Sequence, residues 1–562
     1  MAAKATIVDH GWVTHARSLD HLDRRRFLRG LAGGALLGLA APVLSGCQFG
    51  GVAEGSGADG GGARLPKYLP YAGPRPDLPG TEDGVNPAFF RFPTNPVRGV
   101  AEGPGQGRRV RIVTTVGGPV PPGPNRNGYW AALNARVGAD LDFEMVPAAD
   151  WQRRFASLVD GDDLPDLVRI HPGAPDRSAL LNERFADLTE LLAGDAVADF
   201  PFLANLPTYS WRGVLNDGRL YGVPVPRPLA DTTMYIRTEL VPHQGRLTPS
   251  SFAEFRDLCR SVTDPKARRW ALACPDELVA WVYGMAGPAT VWVEDNGRFT
   301  HQYERDEYRR ALSAVIELVR AGCLHPESFT ADLVKRRTLL NTGQVVMNHD
   351  SFTVWADTHG DPDADPNATT QVATLRGLVP PGFDGGEGAQ RGGTGNSGFT
   401  AFRKADTKTL RRLLGVLDWL AAPLGTQEYL LRKFGRSGAD HTLVDGYPVL
   451  TETGRRETGL PTNYVTDSPP TLGPAPQVDV APAYAWQAAI IPITRHDPRV
   501  GLFAPTEAVK GAALAARMTA LQREVVQGRR TLAEWDDAVR RWREDGGNTI
   551  RSEYERSFEQ NS

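Results

Sequence analysis

Few stretches of this 562-residue chain space their side chains for catalysis or ion binding. Asp361-Pro362-Asp363-Ala364-Asp365-Pro366-Asn367 sets acidic groups at alternate positions, as calcium loops do. Such a loop also needs a glycine at its sixth place and a late glutamate, and here proline and alanine interrupt. A solvated loop is the reading. Gly392-Gly393-Thr394-Gly395 has no Lys-Ser/Thr after it, so it is a turn and not a phosphate loop. No Cys/His spacing resembles a zinc site, and no Gly-x-Ser-x-Gly elbow is present. What remains is a chemistry of recognition. The chain has 12 Trp and 14 Tyr, several beside planar polar side chains, as in Asn127, Tyr129 and Trp130. Flat rings stack on apolar faces of a ligand, and planar polar groups form paired hydrogen bonds to it.

The elements that must position these groups follow from periodicity. Arg109 to Val116 is β-branched and alternating, which predicts a strand of a buried sheet. After a turn, Tyr129 to Asn134 begins a helix that ends near Gly138. Leu141 to Val146 is a second strand, Trp151 to Val159 a helix, and Asp166 to Ile170 a third strand. This alternation predicts a parallel sheet with helical crossovers. Further on the pattern turns helical. Ser251 and Glu254 form a capping box before Phe252, Phe255 and Leu258. Tyr308, Leu312, Val315, Ile316 and Val319 repeat at helical spacing up to Gly322, and Leu410 to Leu420 repeats likewise. Glu507 to Val526 is helical, and a second capping box, Thr531 with Glu534, starts a helix that Gly546-Gly547 should stop. An α/β body with a helical C-terminal portion is expected.

The N-terminus indicates the compartment. Asp23-Arg24-Arg25-Arg26-Phe27-Leu28-Arg29 precedes an apolar stretch from Gly30 to Leu44. That stretch is too short for a permanent membrane helix, which needs about 20 apolar residues. Basic, apolar and small residues in that order read as an export signal, and the paired arginine resembles the Tat motif. Leu44-Ser45-Gly46-Cys47 resembles the lipobox of bacterial lipoproteins, which implies lipidation of Cys47 as the first mature residue. Residues 1–46 are then a twin-arginine lipoprotein signal peptide. The remainder carries 57 basic and 63 acidic residues, a formal charge of −6, which argues against a nucleic-acid partner. Three cysteines remain: Cys259, Cys274 and Cys323. An odd number leaves at least one unpaired within the chain; buried free thiols are the main reading, and a Cys259–Cys274 disulfide is the other. Residues 47–107 read as a flexible Gly-rich tether followed by a Pro/Gly-rich extended segment.

Further motifs resemble a known family. Leu215-Asn216-Asp217-Gly218-Arg219-Leu220-Tyr221-Gly222-Val223-Pro224 resembles the "DGKxYGxP" segment of extracellular solute-binding proteins of ABC importers. Gly343-Gln344-Val345-Val346-Met347-Asn348 resembles their "GkaAM" strand, and Asn396-Ser397-Gly398-Phe399 through Trp419-Leu420 their return strand and following helix. Gly435-Arg436-Ser437-Gly438 and the tail from Trp535 to Tyr554 are similar to the lipoprotein branch of family 1, which imports oligosaccharides. The resemblance spans roughly residues 108–558. It implies a two-lobe, type II-like periplasmic-binding fold, with residues 108–225 and 349–400 in the N-terminal lobe and 226–348 and 401–562 in the C-terminal lobe. The implied crossings lie near Val223–Arg227, Asn348–Phe352 and Phe399–Arg403. It further implies a carbohydrate ligand, ABC permease subunits as partners, a monomer on a lipid anchor outside the membrane, no catalysis and no cofactor.

A sugar site needs aromatic faces and planar polar groups near strand ends and crossings. Asn127, Tyr129 and Trp130 follow the first strand, and Arg227 and Asp231 lie just past the first crossing. Asp350, Phe352 and Trp355 lie at the second, and Asn396 precedes the third. Trp281, Tyr283 and Trp486 are further candidates. In maltose-type relatives the region of Trp355 carries stacking aromatics, which makes Trp355 the leading candidate. An envelope-tethered carbohydrate-active enzyme and a surface ligand sensor are the alternatives.

Overall fold

A computed structural model describes residues 64–561 except 117, 162, 172–176, 217, 243–246, 353–373 and 474–479. The leader, Cys47, Trp355 and the acidic loop at 361–367 lie outside the described residues. Among the described residues nine strands build two sheets: β1 (Arg108–Val116), β2 (Ala139–Pro147), β3 (Leu167–Ile170), β4 (Gly222–Pro226), β5 (Thr232–Arg237), β6 (Trp270–Leu272), β7 (Val345–Ser351), β8 (Leu375–Leu378) and β9 (Asn396–Phe402). The first sheet has the order β2-β1-β3-β9-β4. Its β1 runs parallel to β2 and β3, with Ile112 opposite Phe143 and Leu167. Strand β9 enters antiparallel, with Phe399 opposite Ile170 and Pro224. The second sheet has the order β8-β5-β7-β6, with β7 parallel to β6 and antiparallel to β5.

The helices form where the periodicity placed them, at Gly128–Val137, Trp151–Asp160, Phe252–Val262, Asp306–Arg320, Thr407–Leu420 and Ala512–Val526. Each turns its apolar stripe toward a sheet or a neighbouring helix, which is where most helix stability arises. The Thr531–Glu534 capping box is complete. At Ser251 only half of the box forms, because Glu254 accepts from Ser250 N instead. Gly546 leaves helical geometry, so the helix kinks there and a further helix, Asn548–Asn561, follows. The stop expected at Gly546-Gly547 is therefore a bend. Cys259, Cys274 and Cys323 are buried free thiols. Among the described residues no helix is long and apolar enough to cross a membrane.

The paths between the sheets differ in part from the expected ones. The first runs from Pro226 to Thr232. The expected second crossing, near Asn348–Phe352, does not occur there, because β8 pairs with β5 on the far edge of the second sheet, with Leu375 opposite Arg237. The chain returns to the first sheet between Arg391 and Asn396 instead. The helix Thr407–Leu420 and its leucines, expected in the C-terminal lobe, pack in the first core with Ile112, Val168 and Phe399. The last path follows Tyr464. Thr466 still donates to Pro224 O, whereas Ala481–Ile490 packs beside Tyr235 and Phe352 of the second lobe.

The Pro/Gly-rich segment lies along both lobes. Lys67 N and Leu69 N donate to Gly194 O and Ala204 O of the first. Val85 then enters the core around Tyr235 and Trp486, and Asn86 N donates to Gln487 Oε1 at 2.8 Å. Val97 N returns to Gly425 O, and Gly99 N to Glu428 Oε2, in the first lobe.

Candidate functional site

Ligands of open α/β sheets bind beyond the carboxyl ends of the strands. In the first sheet those ends are Val116, Pro147 and Ile170; in the second they are Leu272 and Ser351. Between them lies a cavity of about 250 Å³ lined by Arg227, Pro228, Asp231, Ser351, Phe352, Thr394, Gly395, Asn396 and Ser397. A second cavity of about 500 Å³ opens at the end of β1, against Gly118, Val120, Arg455, Asn463 and Tyr464. The larger recess at Asn182, Asp187, Arg219 and Lys404 sits at the opposite end of β9 and is no part of this site.

The crossing segments hold the smaller cavity in shape. Arg227 N donates to Gly395 O, and Phe352 N to Asp231 O. Gly395 has φ +74°, and a Cβ there would stand 2.4 Å from the Tyr209 ring, so only glycine fits. Phe352 stacks on Trp486 with ring centroids 5.0 Å apart and planes 19° apart, and Trp486 Nε1 donates to Leu378 O. Burial raises the Asp231 carboxyl, and nearby Arg391 opposes that shift.

Beneath the first-lobe wall lies a group of cations. Arg169 is 3% exposed and has no carboxylate partner among the described residues. Its Nη1 donates to Tyr464 O at 2.7 Å, its Nη2 to Ser397 O at 2.6 Å, and its guanidinium lies 5.0 Å over the Tyr464 ring. Burial and the neighbouring Arg227 lower its pKa to about 10. Its Nε faces His171 Nε2, and burial with the Arg169 charge lowers that imidazole to about 4, so it is neutral at neutral pH. Asp467 meets Arg432 at 2.9 Å, Lys433 at 3.1 Å and Arg227 at 3.5 Å. Burial alone would raise Asp467, but the three cations hold it well below the usual carboxylate range. On the second lobe the charges are matched: Arg337 grips Asp350 through two 2.8 Å bonds, and Arg336 meets Glu277 at 2.5 Å.

Of the sequence candidates, Arg227, Asp231, Phe352 and Asn396 come together at the cavity, with Trp486 behind Phe352. The Asn396 amide is committed to the fold, donating to Ser210 O and accepting from Gly398 N. Five residues expected at the site are packing residues instead. Asn127 caps the helix Gly128–Val137 by accepting from Trp130 N. Tyr129 and Trp130 face the first core, where their polar atoms donate to Arg432 O and Leu141 O. Trp281 and Tyr283 lie on the buried face of the helix Pro275–Met285. Asp350 is bound up with Arg337, and Trp355 lies outside the described residues. The sequence reading missed Arg169, His171, Ser397, Tyr464 and Asp467. The one signal was an arginine in the otherwise apolar strand Leu167–Ile170, whose four residues are all buried.

No family model matches the chain. A polygalacturonan/rhamnogalacturonan-binding protein of Bacillus subtilis, YtcQ, is 23% identical over 451 residues, covering 75% of this chain and 86% of that protein. Among solved structures, an "HMO binding" solute-binding protein associated with an ABC transporter, from Bifidobacterium longum infantis, superposes with a TM-score of 0.59 at 12% identity. It covers 81% of this chain and 99% of its own. The alginate-binding protein AlgQ2 without calcium gives 0.56 at 15% identity, covering 81% and 98%. These structural matches establish the fold. The chain has the two-lobe periplasmic-binding fold of these structures, and in sequence it is similar to YtcQ.

Proposed function

We propose that this protein captures an oligosaccharide between its lobes and delivers it to the membrane permease of an ABC importer. The observation that carries this is the cavity between the carboxyl ends of the two sheets, where Arg227, Asp231 and the Phe352–Trp486 ring pair converge on the crossing segments. Rings for the C–H faces of a sugar and planar polar groups for its hydroxyls are what such a ligand requires. Segments at a hinge also suit closure around a ligand. The names of the relatives, which are polysaccharide- and alginate-binding, support the same ligand class. Trp355, three residues beyond Phe352 in the chain, is proposed as a further stacking ring on the sequence resemblance alone. Binding is reversible and without turnover, and the protein acts as a monomer. The twin-arginine motif and the lipobox at Cys47 support a location outside the membrane on a lipid anchor. Tethering keeps the captured ligand at high local concentration near the permease.

Calorimetric titration of mono- and oligosaccharides against the protein lacking residues 1–47 tests this reading. At least one oligosaccharide should bind and be recovered intact. Binding of peptides or polyamines with no response to any sugar would overturn it, and cleavage of the bound sugar would favour the enzyme alternative. Trp355→Ala should lose most of the affinity for the best ligand; unchanged affinity removes that residue from the site. Metabolic labelling with a fatty acid, lost in Cys47→Ala, tests the anchor.

A further inference from the structure

Among the described residues the charges around the cavity do not balance. Arg169, Arg227, Arg432 and Lys433 are gathered on the first-lobe side, and Asp467 is the one carboxylate that meets any of them within 4 Å among the described residues. Arg169 meets none, and Arg432 keeps Nε and Nη1 buried without a hydrogen-bond partner. On the second-lobe side Asp231 is opposed by Arg391, and Asp350 is taken by Arg337. The wall therefore holds an excess of positive charge in a poorly solvated place. Buried charge of one sign is unfavourable until a counter-charge arrives, and a ligand is the group that can bring it. Arg227 is the cation that reaches the cavity, with a quarter of its side chain exposed. The buried Arg169 adds its field from behind. A planar guanidinium matches an oxyanion with two acceptor oxygens.

We infer that the oligosaccharide taken by this cavity is anionic, and that an oxyanion of the sugar, a carboxylate or a sulfate ester, sits against Arg227. This rests on the carbohydrate reading proposed above and narrows it. The cations also steer the ligand, so the preference weakens as salt screens them.

Calorimetry with three probes separates the cases: a uronate trisaccharide, the same trisaccharide with its carboxylates reduced to alcohols, and a sulfated trisaccharide. An acidic probe should bind about tenfold or more tighter than the neutral one, with the margin shrinking at high salt. Whichever acidic probe binds identifies the oxyanion. In Arg227→Gln the margin between the acidic and the neutral probe should close; a margin kept at its native size overturns the inference. Equal binding of acidic and neutral probes by the native protein overturns the inference and leaves the carbohydrate reading standing. Absence of binding by any carbohydrate overturns that reading instead. The comparison on the native protein holds even if the variant does not fold.

Discussion

The two walls of the cleft solve the same problem differently. In the second lobe two cations near the cleft each have a carboxylate of their own: Arg337 with Asp350 and Arg336 with Glu277. That wall offers shape and an aromatic face, the Phe352–Trp486 stack. In the first lobe, Arg227, Arg432 and Lys433 share the carboxylate of Asp467, and Arg169 meets none among the described residues. On the proposed reading, the unmatched wall discriminates by charge and the matched wall binds without regard to it. Closure of one against the other would then draw affinity and selectivity from different lobes.

The largest expected effect comes from removing the shared anion. Asp467→Asn leaves buried cations without compensation and should destabilise the fold by about 3–5 kcal/mol. Denaturant midpoints would measure it, and an acidic oligosaccharide should restore part of the loss by binding only the folded state. A stability equal to that of the native protein would mean that the first wall is not under charge strain. On the opposite wall, Arg337→Gln leaves the buried Asp350 carboxylate unmatched and should cost roughly 1–3 kcal/mol of stability. Ligand affinity should not move; a loss confined to acidic ligands would erase the distinction between the walls. Phe352→Ala should weaken binding by about 0.5–1.5 kcal/mol, equally for acidic and neutral sugars, if the ring acts through its face alone. The smallest effect concerns His171. Its folded pKa lies near 4, below the usual imidazole value, so folding excludes a proton that the unfolded chain takes up. Its contribution therefore lowers stability as pH falls from about 6.5 toward about 4, and levels off below that. His301 and His349 are shifted the same way, so His171→Gln should flatten the acid side of a stability–pH curve only in part. No change at all would show that the ring is solvated.

Local pattern made much of the fold legible. The alternation in Arg108–Val116 and the leucine repeat in Thr407–Leu420 each report burial on one side, which the residues themselves encode. Lobe membership was less so. Nothing within Thr407–Leu420 states which of two apolar cores it will join, and the answer depends on where β9 pairs. The site was harder still. Asn127, Tyr129 and Trp130 follow a strand end as a ligand-binding group should, but one caps a helix and the other two fall on its buried face. Trp281 and Tyr283 met the same fate on Pro275–Met285, since aromatic rings serve cores and ligands by the same apolar surface.

The sequence alone determined the element types and the family resemblance, and it carries the expectation of an export leader and of a lipid-acceptor Cys47, because each depends on residues close together in the chain. Only the tertiary structure decided the route between the lobes and the make-up of the cationic wall. Arg169 donates to the carbonyl of Tyr464, 295 residues away, and Asp467 gathers Arg227, Arg432 and Lys433 from two separate segments. Whether a buried charge is matched is a property of space, and a one-dimensional pattern does not contain it.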